Sequence, residues 1–451
     1  MEFKSVLSVM AAVVVLSASA DPQVSNVRVS QSASRQVTIL YDLSDEAVVT
    51  LAVETNYVDQ GVTKWASIGE ENYTNIGGDV NRLVSSGNNR KISWRPDRSW
   101  PDKAIAAGNI RFTVNAWSKT SPPDYMVVDL DGSKIVRFYT STNAFPDGGL
   151  ANDTYRIDKI VLRRCPAANV DWWMGAPTDE PGFEVTGISE TRHKVTLLND
   201  YYIGIYEITQ GQVEKVGYPY NYSVFTNREY KATRPFEYTC YKNLRGTTTY
   251  WPNEDRELAH TVDNTLVVGK FRLATGVLFD LPTEAQWEFA CRAGTSTGLN
   301  NGKELTGDTA SAPTSANLSE VARYRSNGGG DYWAMPGVTN TSNPKSNADT
   351  SKGTAKVGSY KPNAWGIYDM HGNAAEICLD RYQADLGTEA VTDPVGATTG
   401  DNRVLRGGSY GSGKNAALRS AARASAQTYS VAYYGSRLCV TIYTDIKDVM
   451  D

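Results

Sequence analysis

Two carboxylates lie close together in an unusual stretch of the chain, at Asp369 and Glu376, with the amide of Asn373 between them. This stretch, residues 363–376, is rich in aromatic residues and glycine, and it follows neither a helical nor a strand period, which indicates an ordered loop. Carboxylate and amide oxygens suit calcium, whereas zinc would require Cys or His. A solvated Gly/Asn turn with two unrelated surface acids would have the same sequence, and spacing alone favours that plainer interpretation.

Further sequence blocks accompany this stretch in a fixed order. They lie at residues 202–210, 281–291 and 406–410, and the chain closes with Gly-Ser-Arg-Leu at 435–438. Together the blocks resemble the signature of the formylglycine-generating enzyme (sulfatase-modifying factor) family. The resemblance implies an α+β, C-type-lectin-like formylglycine-generating-enzyme fold over residues 155–445, poor in regular secondary structure and commonly holding calcium.

The same resemblance implies two calcium sites, each using side-chain oxygens and backbone carbonyls. The basic residues nearest to the first site in sequence are Lys361 and Arg381, so its carboxylates are expected to repel one another unless a cation compensates. The residues of the first site are Asp369, Gly372, Ala374 and Glu376, and those of the second are Asn317, Leu318, Asp349 and Ser351.

The family's best-known reaction oxidises a sulfatase cysteine to formylglycine, with copper(I) held by two thiolates. The two thiol positions correspond here to Ser412 and Ala417. A hydroxyl is too hard a ligand for copper(I), and alanine has no donor atom. We therefore expect no copper and no copper-dependent activity. The candidate groove residues are Arg406, Ser409, Tyr410 and Ser412.

A sibling branch of the family uses three histidines on non-haem iron. This chain has only His193, His260 and His371, without His-x-x-x-His spacing. Two of them with a carboxylate could still form an iron site. Two hypotheses therefore remain open: a calcium-stabilised binding module, or an oxidoreductase of the same family that uses a different metal or donor set.

Composition and charge limit the expected cellular location of the protein and the classes of molecule that it could bind. The chain has 451 residues and a net charge of −5, and it contains no Lys/Arg block, so nucleic acid is a poor candidate. Residues 1–20 read as a secretory signal peptide, and no later stretch is apolar enough to span a membrane. We expect a secreted, periplasmic or cell-surface protein whose ligand is a protein, a peptide or a glycan.

The remaining signals concern architecture. Dense β-forming segments at 22–135 predict an immunoglobulin- or fibronectin-III-like sandwich, followed by a polar linker at 136–154. Capping boxes at Thr209 and Thr283 predict two helices, and a third is expected at 264–273. The five cysteines leave at least one unpaired, and Cys439 is expected in a disulfide whose partner the sequence does not assign.

Overall fold

The computed structural model describes residues 21–101, 108–225, 230–246, 262–311, 313–327, 353–443 and 445–450. The expected signal peptide at 1–20 lies outside these ranges. Within them, a β-sheet-rich N-terminal region precedes a region of mixed strands and helices, so the coarse fold class is confirmed. No helix in the described ranges is long and apolar enough to cross a membrane.

The N-terminal region contains two sheets that share one core. Its strands are β1 (Val24–Gln31), β2 (Val37–Leu43), β3 (Ala47–Asp59), β4 (Val62–Ser67), β5 (Ile76–Gly78), β6 (Arg82–Val84), β7 (Gly87–Trp94) and β8 (Ile110–Trp117). One sheet has the order β1-β2-β7-β5, and the other has β4-β3-β6 with β8 paired to β3. In β2, Val37, Ile39, Tyr41 and Leu43 are buried at every second position, which is the period of a half-buried strand.

The second region is built on a five-stranded sheet and smaller sheets. Its strands are β9 (Tyr125–Asp129), β10 (Val136–Tyr139), β11 (Lys159–Cys165), β12 (Val170–Met174), β13 (His193–Leu197), β14 (Tyr201–Gly204), β15 (Ala322–Arg323), β16 (His371–Gly372), β17 (Ala375–Arg381), β18 (Val391–Thr392), β19 (Arg403–Arg406), β20 (Arg423–Ala426), β21 (Tyr434–Gly435) and β22 (Cys439–Thr441). The sheet orders are β10-β9-β11-β14-β22, β12-β13-β18, β15-β16 and β20-β19-β17-β21.

Short helices pack around these sheets. They are α1 (Pro96–Ser99), α2 (Thr154–Ile157), α3 (Gln210–Lys215), α4 (Tyr241–Leu244), α5 (Val267–Thr275), α6 (Glu284–Arg292) and α7 (Ala316–Ser319). Thr209 and Thr283 cap α3 and α6, each with a complete capping box, as predicted. The third expected helix is α5, and Gly276 ends it in the left-handed conformation.

Parts of the range predicted as a polar linker, 136–154, are paired or buried. Strand β10, inside that range, pairs with β9, and β9 in turn pairs with β11 of the following region. Phe145 is buried, with its ring 4.9 Å from that of Tyr139 and stacked 5.1 Å from that of Tyr155. Burial of these three aromatic rings outweighs the polar composition around them. The division of the chain into separately folding domains stays a prediction.

Candidate functional site

The signature stretch forms a tight turn that leads into β17. Asp369, Gly372 and Asn373 adopt positive φ angles of 57°, 81° and 57°. A β-carbon at Gly372 would lie 2.0 Å from the carbonyl oxygen of Arg323, so the position requires glycine. The turn buries the side chains of Asp369 and Glu376, and they are therefore not the exposed acids of a solvated turn.

Glu376 forms a buried ion pair with Arg437, a residue of the closing block. Its Oε1 accepts a hydrogen bond from Arg437 Nη2 at 2.5 Å, and its Oε2 accepts one from Arg437 Nε at 2.6 Å. Trp287 Nε1 also donates to Oε2, at 2.7 Å. The expectation that these carboxylates have few cations nearby, based on the sequence distance to Lys361 and Arg381, is corrected, because Arg437 reaches the site from a distant part of the sequence.

Glu207 is a further buried carboxyl group of the same cluster. Its Oε2 accepts a hydrogen bond from Asn373 Nδ2 at 2.6 Å, and its Oε1 accepts one from the Ala374 amide at 2.7 Å. Burial, followed by the charges of Asp369 and Glu376, raises the pKa of Glu207 well above its usual range. Glu207 was not among the site residues predicted from the sequence, although it lies within the 202–210 block.

Asp369 has one carboxylate oxygen without a hydrogen-bond partner. Its Oδ2 accepts from the Gly358 amide at 2.6 Å, while Oδ1 is buried and makes no hydrogen bond within the described ranges. Burial raises the pKa of Asp369 to about 6, because the charged form loses hydration. The cluster thus combines three buried carboxyl groups with the Arg437 guanidinium, and a bound cation would offset its excess negative charge.

The residues of the first expected calcium site lie on this one turn. Each carboxylate offers about four lone-pair positions, so the three hydrogen bonds to Glu376 leave one position and the single bond to Asp369 leaves three. Within the described ranges, no group of three or more His, Cys, Asp or Glu side chains is arranged to hold a metal ion. A calcium ion here would therefore also depend on the carbonyls of Gly372 and Ala374 and on water.

The second expected calcium site is only partly described. The side-chain amide of Asn317 donates to the Glu304 carbonyl at 2.9 Å, and Leu318 is buried in an apolar cluster. Asp349 and Ser351 lie outside the described residues. This site stays a prediction.

A groove of about 700 Å³ opens beside the loop that follows β19. Ser412 and Ala417, the two positions that correspond to the family's thiols, both line it, as does Ser409. The Ser409 amide donates to Ser412 Oγ at 2.9 Å, which fixes the loop. Two positions selected from the sequence resemblance are thus brought together in one groove, without a thiol at either.

Arg406 and Tyr410 are buried and support the groove instead of lining it. Arg406 Nη2 pairs with Glu288 Oε2 at 2.5 Å and also donates to the Ser420 carbonyl at 2.8 Å. The Tyr410 ring meets that of Phe225 edge-on, with centroids 5.2 Å apart. These contacts hold the loop that presents Ser409 and Ser412.

Exposed tyrosines form one side of the groove. Tyr238, Tyr429 and Tyr433 line it and are 40%, 63% and 38% exposed. They come together because Thr239 and Val431 form an antiparallel β-bridge. Tyrosines that expose both a ring and a hydroxyl are enriched where proteins bind partners.

Two further exposed tyrosines lie on a loop that is hydrogen-bonded to the segment carrying Tyr238. Tyr220 and Tyr222 are more than half exposed, and their rings stack with centroids 6.0 Å apart and 6° between their planes. Ser223 Oγ donates to the Glu237 carbonyl at 3.2 Å, which joins their loop to the segment that carries Tyr238. None of these five tyrosines was predicted from the sequence as a site residue. The total of 26 tyrosines was the only sequence signal for exposed aromatic residues.

The groove has no uncompensated charge among its described lining residues. Arg423 is the charged side chain in that lining, and its Nε and Nη2 each pair with a Glu284 oxygen at 2.7 Å. Its Nη1 donates to the Gln383 carbonyl at 2.6 Å. The groove therefore suits an uncharged ligand segment.

All five cysteines are buried and carry free thiols, so the expected disulfide at Cys439 is wrong. Burial raises the pKa of Cys165 and of Cys291 to about 12, and it raises those of Cys378 and Cys439 well above their usual range. Copper(I) binds thiolates, and burial opposes thiolate formation at these four positions.

The described histidines have structural partners. His371 Nδ1 donates to the Leu418 carbonyl at 2.6 Å, and its Nε2 accepts from the Asn300 amide at 3.0 Å. Burial lowers the pKa of His371 to about 4, so the ring is neutral with both nitrogens engaged. His193 is buried at the start of β13, and His260 lies outside the described residues.

Comparison with known proteins identifies the second region. Residues 171–442 match the family described as the sulfatase-modifying factor enzyme 1-like domain. Two similar proteins are formylglycine-generating enzymes, from Bos taurus (33% identity, 29% of this chain and 29% of that protein) and from Streptomyces coelicolor (38% identity, 29% and 35%). The matched segment thus spans about a third of the length of these relatives.

Other similar proteins are not named as formylglycine-generating enzymes. "Chaperone protein LppX" from Paenibacillus barcinonensis is 29% identical over 45% of this chain and 69% of its own length. Among solved structures, "Treponema denticola variable protein 1" aligns with 62% of this chain and 95% of its own, at 23% identity and a TM-score of 0.40. PvdO from Pseudomonas aeruginosa aligns with 63% and 95%, at 19% identity and a TM-score of 0.41.

Proposed function

Because the chain belongs to the sulfatase-modifying factor enzyme 1-like domain family, we propose that its groove is a peptide-binding site without copper-dependent chemistry. The observation that carries this proposal is the lining of the groove, in which Ser412 and Ala417 replace the thiol pair beside a row of exposed tyrosines. The protein would then be an exported binding module whose ligand is a segment of another protein.

The chemistry of the lining favours a peptide. The groove combines tyrosine rings and hydroxyls with Ser409, Ser425 and Gln427, while its one described charge is neutralised. Such surfaces bind extended segments through ring contacts and hydrogen bonds to the peptide backbone. The family resemblance also implies a peptide substrate in this place.

Calcium has a structural part in this proposal. The buried, unpartnered Oδ1 of Asp369 and the excess of carboxyl groups over the Arg437 guanidinium support a bound cation, which would complete its coordination with backbone carbonyls and water. Asp369 and Glu376 would hold the ion by their side chains, and Gly372 and Ala374 would hold it through their carbonyls. The ion would stiffen the turn that leads into β17, on which one wall of the groove depends.

The proposal also covers the detailed fold of each of the two regions. We infer a C-type-lectin-like arrangement for the second region and an immunoglobulin- or fibronectin-III-like arrangement for the N-terminal sheets. The secretory signal at 1–20 supports export, and N-terminal sequencing of the mature protein from its native host tests it, with Asp21 as the expected first residue.

The alternative, an oxidoreductase with non-haem iron, is not favoured by any observation in the described residues. His371 has both ring nitrogens engaged by backbone groups. Metal analysis of the purified protein separates the two hypotheses. Stoichiometric iron that co-purifies with the chain would support the oxidoreductase.

Selection from a random peptide display library on the mature chain tests the binding proposal. Enriched peptides should bind with a dissociation constant that rises about tenfold or more in the Tyr433→Ala variant, because central tyrosines carry much of the binding energy at such sites. The Ala417→Trp variant should also lose binding, since the indole fills the groove.

Tyr57→Ala is the matched control, because Tyr57 is a half-exposed tyrosine on β3 in the N-terminal sheets. It should leave peptide affinity unchanged. If no peptide is enriched over the Ala417→Trp variant, or if Tyr57→Ala weakens binding as much as Tyr433→Ala does, the peptide-binding proposal is wrong.

A further inference from the structure

A second pocket, of about 210 Å³, lies between the edge strand β12 and the end of α6. Its lining includes Trp172, Trp173, Arg192 and Phe289. Pockets for drug-sized ligands measure roughly 300–1,000 Å³, so this pocket accommodates a single ring-sized group. It shares no lining residue with the groove of about 700 Å³ that Tyr238, Tyr429 and Tyr433 line, the tyrosine groove.

Trp173 is an exposed indole with two cations beside it. It is 47% exposed, the Arg192 guanidinium carbon lies 4.7 Å from its ring centroid, and Lys194 Nζ lies 5.7 Å away. Neither cation has an ion pair within the described ranges. The nearby Asp171 accepts a hydrogen bond from Thr196. The mouth of the pocket therefore offers uncompensated positive charge to an anion.

Trp172 gives the pocket an aromatic wall. Its ring lines the pocket and meets that of Phe289 at 5.4 Å, while its Nε1 is buried without a hydrogen-bond partner in the described residues. Buried indole N–H groups normally find an acceptor. This N–H is enclosed by protein atoms, so Trp172 contributes apolar surface to the pocket and not a donor.

The end of α6 does not repel an anion strongly. The last carbonyls of a helix carry partial negative charge when they are unsatisfied. Here Asn363 Nδ2 donates to the carbonyls of Ala290 and Cys291, at 2.7 and 3.1 Å. The Arg292 carbonyl accepts from both the amide and the hydroxyl of Thr295, each at 2.8 Å.

The pocket is also held rigidly. The Gly175 amide, directly after β12, donates to Glu288 Oε1 at 2.9 Å, and Arg292 Nη2 donates to the Gly175 carbonyl at 2.8 Å. Arg292 and Glu288 also pair with each other at 2.8 Å. The strand edge and the helix end are therefore fixed relative to one another before a ligand binds.

We propose that this pocket binds one anionic sugar residue, a pyranose that carries a carboxylate or a sulfate group. The Trp173 indole offers an apolar surface to the sugar ring, and Arg192 and Lys194 bind its anionic group. A flexible acidic peptide would supply the charge but not a rigid ring for the indole, so the saccharide fits this set of groups better.

Isothermal titration of the mature chain with trigalacturonate, a sulfated carrageenan oligosaccharide, neutral maltotriose and hexaglutamate tests this proposal. One or both anionic saccharides should bind, and the comparison between them identifies carboxylate or sulfate as the preferred group. Their dissociation constants should rise with salt concentration. Trp173→Ala and Arg192→Gln should each weaken binding about tenfold or more.

Two controls make the result specific. Tyr433→Ala, in the tyrosine groove, and Lys64→Gln, an exposed lysine of β4, should both leave saccharide binding unchanged. Trp173→Phe should retain part of it, because an aromatic face remains. Equal binding of maltotriose, tighter binding of hexaglutamate, insensitivity to Trp173→Ala, or no binding by either anionic saccharide would each overturn the proposal. A failure here leaves the peptide groove unaffected, because the two sites share no residue.

Discussion

Replacement of Arg437 by methionine should destabilise the second region strongly. The guanidinium is fully buried and holds both oxygens of Glu376, and it also donates to the carbonyls of Gly204 and Tyr368 at 2.8 and 3.0 Å. Methionine fills much of the same volume but leaves the carboxylate without its cation. Breaking a buried ion pair on one side costs about 3–5 kcal/mol in the free energy of unfolding.

Urea unfolding of the full chain measures this loss. Tryptophan fluorescence and circular dichroism should be followed together, so that a separate transition of the N-terminal sheets is recognised. Glu376→Gln in the Arg437→Met background should recover part of the loss, because the stranded charge is then removed.

Lys215→Met is the matched control, because it breaks an exposed ion pair with Asp158 and should leave the unfolding midpoint unchanged. A loss below about 1 kcal/mol in Arg437→Met, or the same small effect in both variants, would refute the reasoning that this pair is buried and holds the site together.

Three further changes follow from the same structure. Chelation should lower the melting temperature and calcium should restore it. At a hundredfold excess over its dissociation constant, the ion should add about 2.7 kcal/mol to the free energy of unfolding. Asp369→Ala should reduce this response and Asp129→Ala should not. The pKa of Asp380 is raised to about 7 by burial and then by the charge of Glu284, so the folded state holds a proton that the unfolded chain loses near pH 4. Stability should therefore fall as pH rises from about 4 to 7, and melting curves of Asp380→Asn should show a weaker fall. Thr283→Ala removes the cap of α6 and should cost about 1 kcal/mol in urea unfolding, whereas an unchanged midpoint would contradict the role of the cap.

Local features of the second region could be predicted from the sequence because neighbouring residues determine them. The caps at Thr209 and Thr283 need only four consecutive residues, and Gly276 ends α5 through its own backbone freedom. The turn at Gly372 was predictable in part, because the irregular period indicated a loop, although the two-residue strand β16 and the start of β17 lie within the same stretch. In the N-terminal sheets, the two-residue period of β2 likewise made a strand predictable.

The contacts that complete both sites could not be predicted, because they depend on chain segments far apart in sequence. Arg437 lies 61 residues after Glu376, and no local pattern links the two residues. Tyr429 and Tyr433 reach Tyr238 through a β-bridge between distant segments. Composition likewise does not show that an aromatic residue within the 136–154 range, such as Phe145, is buried.

The most direct test of the central claim is the formylglycine reaction itself. The mature chain, with copper(I) and oxygen, is incubated with a sulfatase-type Cys-x-Pro-x-Arg peptide, and mass spectrometry detects the aldehyde. The account predicts no aldehyde above a no-enzyme control, because Ser412 and Ala417 stand where thiolates are needed and the described cysteines are buried. Aldehyde formation above that control would contradict it.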